Sequence, residues 1–310
     1  MKKNWLFSLF LLVVLRLHAQ SVHDLQLVSK EVDYTKLVRK NDITVYFKKE
    51  TGSIEIKKGD TLIQEMTSVN AAEFLDDNFL IISKMGNKEN VIVYDIAKNQ
   101  FFPTEIKAPL LMSLACNKAN NYVLASDRQF GQVLVLDFYK NSVVLLDRYP
   151  RFCFFVGAFP DGSMASVGTS DAYNPAAHEI RFYSRDGKVT AKSGVVLEKI
   201  NPDLNLFYTS AVGNEVFVAS PFNKELVSYR LDGNKVASTK LKGISQLFGS
   251  FSLDGELVYV GSHEKAIVIY DTSFAPLKSL ACKAMEQGYQ VANVEIKGNE
   301  LLVFYYERPR

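Results

Sequence analysis

The chain has 310 residues with 36 basic and 34 acidic side chains, a formal charge of +2, and 47% hydrophobic residues including 21 Phe and 15 Tyr. So apolar a chain is not disordered, and at this length it buries a large core as one domain or two small ones. The near-neutral balance lacks the clustered basic face of a nucleic-acid binder, so no nucleic-acid partner is expected.

Residues 1–19 read as a secretory signal. Lys2 and Lys3 form the basic end, Leu6 to Leu15 the apolar run, and Leu17-His18-Ala19 a cleavage site before Gln20. The run is about half the length that spans a bilayer, and no later segment approaches that length, so the mature chain is expected to be exported without a transmembrane segment. Lys2, Lys3 and Arg16 all fall in the signal, which leaves the remainder at a formal charge of −1. The domain expectation is therefore a signal over 1–19 and one domain over 20–310. Cys116, Cys153 and Cys282 sit in or beside apolar runs, which suits buried thiols better than a disulfide framework.

Beyond the signal, one short apolar strand recurs seven times: ITVYF (43–47), FLIIS (79–83), YVLAS (122–126), SMASV (163–167), EVFVA (215–219), ELVYV (256–260) and ELLVF (300–304). A period of about 40–50 residues is that of propeller blades. A turn precedes each of the last six copies (Asp76-Asp77-Asn78, Asn120-Asn121, Asp161-Gly162, Gly213-Asn214, Asp254-Gly255, Gly298-Asn299), and such pairs supply the positive φ of tight hairpins. A second strand then ends on an aromatic or acidic turn, as in VIVYDIAKN, VLVLDFYKN and AIVIYDTSF, and a more polar third leads out. The fold class expected is an all-β propeller of four-stranded antiparallel blades. Seven copies favour seven blades, with Val22–Val28 completing the last around the C-terminal strand; the count is six if residues 43–56 complete it instead.

The segments IVYDIAKNQ, AFPDGSMASVG, FYSRDGKV, SYRLDGNKV and FSLDGELVYVGSHEKAIVIYDTS, with the HAQ end of the signal, resemble the exported TolB-like and NHL/YncE-like propellers common in Bacteroidetes. The resemblance covers residues from about 40 to 310 and rests on fold motifs. It implies a periplasmic or extracellular location and a binding or assembly role. It brings no catalytic motif with it.

Chemistry is sparse in the chain itself. His23, His178 and His263 are far apart, without HExxH, CxxC, P-loop or GxSxG frames, so no metal site and no cofactor is expected. The longest connection between a second and third strand, Thr169 to Glu179, is the most informative irregularity, because long loops in compact domains tend to carry function. It holds Asp171, Tyr173, Asn174 and His178, beside Arg151 from the preceding connection; equivalent loops add Arg128, Phe222, Lys224 and His263. Cations, amides and aromatics together suit a glycan, a peptide or an envelope protein. The leading expectation is a non-catalytic ligand-binding propeller. The alternative is an exported hydrolase or lyase assembled from the same loops.

Overall fold

The computed structural model describes residues 22–49, 52–85, 91–106, 111–171, 174, 177–195, 206–209, 214–220, 225–253 and 255–307; the expected signal lies outside them. The chain divides into two compact units, one of residues 33–247 and one pairing the residues up to 32 with 248–308.

The larger unit holds five four-stranded antiparallel meanders in chain order. The first strand of the chain, β1 (Gln26–Glu31), belongs to the other unit. Sheet one is β2 (Tyr34–Lys40), β3 (Ile43–Lys48), β4 (Ile54–Lys58) and β5 (Thr61–Met66); sheet two is β6 (Val69–Phe74), β7 (Phe79–Lys84), β8 (Val91–Asp95) and β9 (Gln100–Pro103). Sheet three is β10 (Leu111–Asn117), β11 (Tyr122–Asp127), β12 (Gln132–Asp137) and β13 (Ser142–Arg148). Sheet four is β14 (Phe152–Ala158), β15 (Met164–Thr169), β16 (His178–Tyr183) and β17 (Val189–Gly194), and sheet five is β18 (Leu206–Thr209), β19 (Glu215–Ser220), β20 (Glu225–Asp232) and β21 (Lys235–Lys242). The smaller unit holds sheet six, β22 (Gln246–Leu253), β23 (Glu256–His263), β24 (Ala266–Tyr270) and β25 (Pro276–Ala281), then one helical turn at Lys283–Glu286. It ends with β26 (Gln290–Lys297) and β27 (Glu300–Tyr306), against which β1 lies. Each recurring apolar strand of the sequence is the second strand of its sheet.

Turn chemistry sets the boundaries. Asn121, Asn214, Gly162, Gly255 and Gly298 all adopt positive φ, as expected of the first hairpins. At 76–78 the turn closes differently: Asp76 Oδ1 accepts from the Asn78 and Phe79 amides at 2.7 and 3.0 Å. The D-x-x-K-N repeats are local devices of the same kind. Asp95 and Asp137 each accept the amide of the lysine three residues on and pair with its amine at 2.9 Å, and Asn99 and Asn141 then take left-handed φ.

No sheet covers its own apolar faces, so the core is a series of layers between consecutive sheets. Ile43, Val45, Ile54 and Ile56 of sheet one meet Ala72, Phe74, Leu80 and Ile82 of sheet two. Ile81 and Val91 of sheet two meet Val123, Ala125 and Leu136 of sheet three, Leu124 and Val133 meet Cys153, Val156 and Met164, and Ala165, Val167, Ile180 and Phe182 meet Val216, Val218 and Val227. In the smaller unit Val260, Ile267 and Ile269 pack on Leu25, Val294, Leu301 and Val303. All three cysteines are free thiols, Cys153 and Cys282 buried and Cys116 half-buried.

Two features differ from the regular antiparallel blade expected. The N-terminal strand does complete the last sheet, but β1 runs parallel to β27, with Gln26 opposite Glu300 and Glu31 opposite Tyr305, and that sheet has three strands among the described residues. The first strands of five sheets also carry a bulge near their start, at Thr35, Asn70, Met112, Phe154 and Ala292. A bulge re-aims one side chain and sharpens the local twist.

Sheets three and four are tied by a polar network around Tyr149, which is 1% exposed. Its hydroxyl meets Ser166 Oγ at 2.7 Å, and Ser166 Oγ meets the Tyr183 hydroxyl at 2.8 Å. The Tyr183 hydroxyl donates to Asp147 at 2.9 Å. Arg181 lies over the Tyr149 ring at 4.0 Å and donates to both Asp147 (2.8 Å) and Glu179 (2.6 Å). Opposite the ring is Gly168, where a Cβ would overlap the Tyr149 ring and stand 2.6 Å from the Phe152 carbonyl oxygen. A Gly168→Ala substitution is expected to lower stability by about 3 kcal/mol, as overpacking at a buried contact does, read as a shift in the urea midpoint.

Burial raises the Asp147 carboxyl, but the Arg181 guanidinium, the Arg148 amide and the Tyr183 hydroxyl outweigh it and hold the group below the usual carboxylate range. A carboxyl whose folded pKa is depressed stabilises above its unfolded pKa and loses that contribution as pH falls through the folded value. An Asp147→Asn variant is expected to be about 2–4 kcal/mol less stable than the parent at neutral pH. The gap should narrow as pH drops below about 4, measured by urea unfolding across pH.

Candidate functional site

The turn-and-connection end of sheets three and four gathers most of the expected binding residues that are described. Asp127 ends β11 and is fully buried; its Oδ1 accepts the Gln129 amide at 2.8 Å and a second bond comes from the Phe130 amide. Burial pushes the Asp127 carboxyl up against these bonds and the nearby Arg148 charge. The outcome is a fixed turn that presents Arg128 and leaves Phe130 48% exposed.

That turn is locked to the next connection through glycine. Gly131 takes φ +66, its carbonyl accepts the Tyr149 amide at 2.8 Å, and a Cβ there would collide with the Tyr149 carbonyl oxygen and lie 3.0 Å from that of Arg151. Arg151 is exposed, and its amide donates to the Thr169 carbonyl at 3.1 Å. Its guanidinium stands over the Phe152 ring at 5.1 Å. Phe152 meets Phe154 at 6.0 Å, and Phe154 stacks on the His178 imidazole at 5.6 Å with 17° between planes. The bulge at Phe154 makes this strip. It turns Cys153 into the layer shared with sheet three and Phe155 into the layer shared with sheet five, leaving Phe154 between them.

The long connection is shorter than the sequence suggests. β15 runs through Thr169 and β16 begins at His178, paired with Thr169. Thr169 Oγ1 donates to the Asp171 carbonyl at 2.8 Å, and the Asp171 amide returns a bond to the same oxygen at 3.1 Å. The Ala177 amide bonds to the Asn174 carbonyl at 3.0 Å, and His178 Nδ1 lies 3.2 Å from that carbonyl. Asp171 and Asn174 are exposed. His178 is a correction: expected in a loop, it is a strand residue only 1% exposed, enclosed by Phe154 and the connection. The period-two pattern H-E-I-R-F-Y places it on the buried face with Ile180 and Phe182, which is the signal that would have found it.

Of the other expected residues, Tyr173, Phe222 and Lys224 lie outside the described residues. His263 ends β23 in the smaller unit and is exposed. Phe130, Phe152 and Phe154 are additions that composition did not single out, because FCFFV reads as a wholly buried inner strand. Among the described residues, no group of three or more His, Cys, Asp or Glu could hold a metal ion, and no helix is long and apolar enough to cross a membrane.

No protein-family model matches the sequence, and no curated protein does. Among solved structures, the chain is similar to the β-propeller domain of Cps50 (Swd1) of Myceliophteria thermophila, with a TM-score of 0.56, 13% identity, and coverage of 81% of this chain and 87% of that one. The fold is a seven-bladed β-propeller. At that identity the likeness carries the architecture alone, and propellers host many unrelated functions, commonly as protein-interaction scaffolds.

The strip from Arg151 to Phe154 depends on one backbone contact. Gly131→Ala forces a side chain into two carbonyl oxygens at positive φ, so it is expected to cost about 2 kcal/mol or more and to displace Arg151. The expected signature is a lowered melting temperature with chemical-shift changes at Phe152 and Phe154, measured by calorimetry and NMR.

Proposed function

We propose that the chain is an exported, non-catalytic propeller that captures an extended acidic segment of a partner protein at the turn-and-connection end of blades three and four. One observation carries the reading: the strip of Arg151, Phe152 and Phe154, backed by the buried His178, with Phe130 exposed on the adjoining turn. A guanidinium lying on a ring keeps its N–H edge for a carboxylate, and the neighbouring aromatics give apolar contact at little entropic cost. An acidic glycan offers the same carboxylate and is the alternative ligand. The hydrolase or lyase alternative drew on Arg128, Arg151, Asp171, Tyr173 or His178, and the buried, stacked position of His178 supports a structural role for that residue.

Export is supported by Lys2-Lys3, the apolar run and the Ala19–Gln20 junction. The finer likeness to TolB-like and NHL/YncE-like propellers of Bacteroidetes supports an envelope setting, periplasmic or extracellular. N-terminal sequencing of the secreted protein should begin at Gln20. Arg151→Glu, or replacement of residues 170–177 by a two-residue turn, is expected to weaken capture of an acidic peptide at least tenfold, about 1.4 kcal/mol, with the melting temperature little changed. Capture of an acidic oligosaccharide in preference to the peptide would reassign the ligand. Undiminished capture by both variants would remove this end of the propeller from consideration.

A further inference from the structure

β13 closes blade three on the outside, so one of its edges bonds to β12 and, among the described residues, no strand lies beside the other. Such an edge presents a row of unpaired N–H and C=O groups to any strand that meets it. The outer strands of the neighbouring blades carry charges or prolines that discourage pairing: Glu65 on β5, Pro103 on β9, Lys192 on β17, three lysines on β21 and Pro276 on β25. β13 opens with SVVLL (142–146) and has neither charge nor proline before Asp147.

Both faces of that strand are apolar, and both are open. Val143 and Leu145 lie opposite Leu136 and Leu134, so they share the face that buries the layer against blade two. Phe102, opposite Val93 of the same layer, reaches the rim from blade two. Val144 lies opposite Val135 and faces blade four, and Val189, opposite Tyr183, reaches the rim from that side. All five are exposed, Val144 54% and Leu145 51%. With Tyr139 of the adjoining turn they make six of the eleven large hydrophobic side chains exposed among the described residues, so this exposure is concentrated at one blade and not shared among them.

The geometry points to a second copy of this chain as the occupant: the β13 edges of two molecules pair antiparallel about a two-fold axis and join two blades into one eight-stranded sheet. A free edge admits a strand, and side chains bare on both faces require a strand that is apolar on both. Among the outer strands described, β13 alone has that pattern, so it is its own complement, as an isologous interface demands. Size agrees. At their exposures the six side chains present on the order of 500 Å2, the upper part of what a monomer leaves bare. A standard interface takes about 800 Å2 from each partner, about 65% of it apolar in homodimers. Charge does not oppose the pairing. It brings the Lys140 end of each strand to the Asp147-Arg148 end of the other, whose charges cancel, and residues 141–146 between them are uncharged. The inference does not rest on the Arg151 strip.

Analytical ultracentrifugation of the chain from Gln20 onwards should find at least half of it dimeric at about 100 µM, since interfaces of this size bind in the micromolar range or tighter. Val144→Lys and Leu145→Lys should each raise the dimer dissociation constant at least tenfold, with the melting temperature of the dilute monomer unchanged, and Arg151→Glu should leave the dimer as it is. Hydrogen exchange at the β13 amides should slow as the parent is concentrated, and in neither lysine variant. If a lysine variant fails to fold, Val144→Thr, which keeps strand propensity, gives the same reading. A parent less than half dimeric at that concentration, a dimer that both lysine variants keep, or one without added protection on β13 overturns the proposal. So does a parent that stays monomeric but binds a synthetic Thr-Val-Thr-Val-Thr-Val peptide along β13, which gives the edge to a partner protein.

Discussion

Tyr149 wedged against Gly168 is the contact on which the junction of blades three and four depends. The ring fills the gap between blades three and four, where any side chain at residue 168 would stand. Its hydroxyl then joins Ser166, Tyr183, Asp147 and Arg181 into one network, so that a half-buried cation and carboxylate each find several partners. A half-satisfied network of that kind would destabilise the interface. The same residue passes its position outward: the Tyr149 amide holds Gly131, and two residues later Arg151 binds Thr169. The strip from Arg151 to Phe154 thus inherits its geometry from a core contact.

Around Arg181 every charge has a hydrogen-bonded partner, and the Asp147 carboxyl is held low. That pattern is what interface stability requires.

How much of this could be read in the amino-acid sequence follows from range. Second strands recur with alternating apolar residues, and turns such as Asn120-Asn121 and Asp161-Gly162 declare their φ locally, so the blades were legible and seven was favoured over six. That residues near Val22–Val28 would complete the last blade was also legible, but not that β1 would lie parallel to β27, since strand direction is fixed by the path of the chain between them and not by its side chains. Bulges were invisible: nothing in F-C-F-F-V marks Phe154 as the extra residue, and the strip it builds with His178 joins positions 24 residues apart in sequence. His178 was misplaced because an unusual loop drew attention from the two-residue period beginning at its end.

The parallel course of β1 has a topological consequence for rewiring the chain. Gln26 lies beside Glu300, whereas Tyr306 lies at the far end of the same strand pair. A peptide joining Tyr306 back to Gln26 must therefore retrace β27, about 20 Å at the rise of an extended strand. An antiparallel closing strand would have needed only a hairpin. Circular permutants of this protein accordingly call for a connector of roughly eight or more residues, after which new ends can be opened in any exposed hairpin turn.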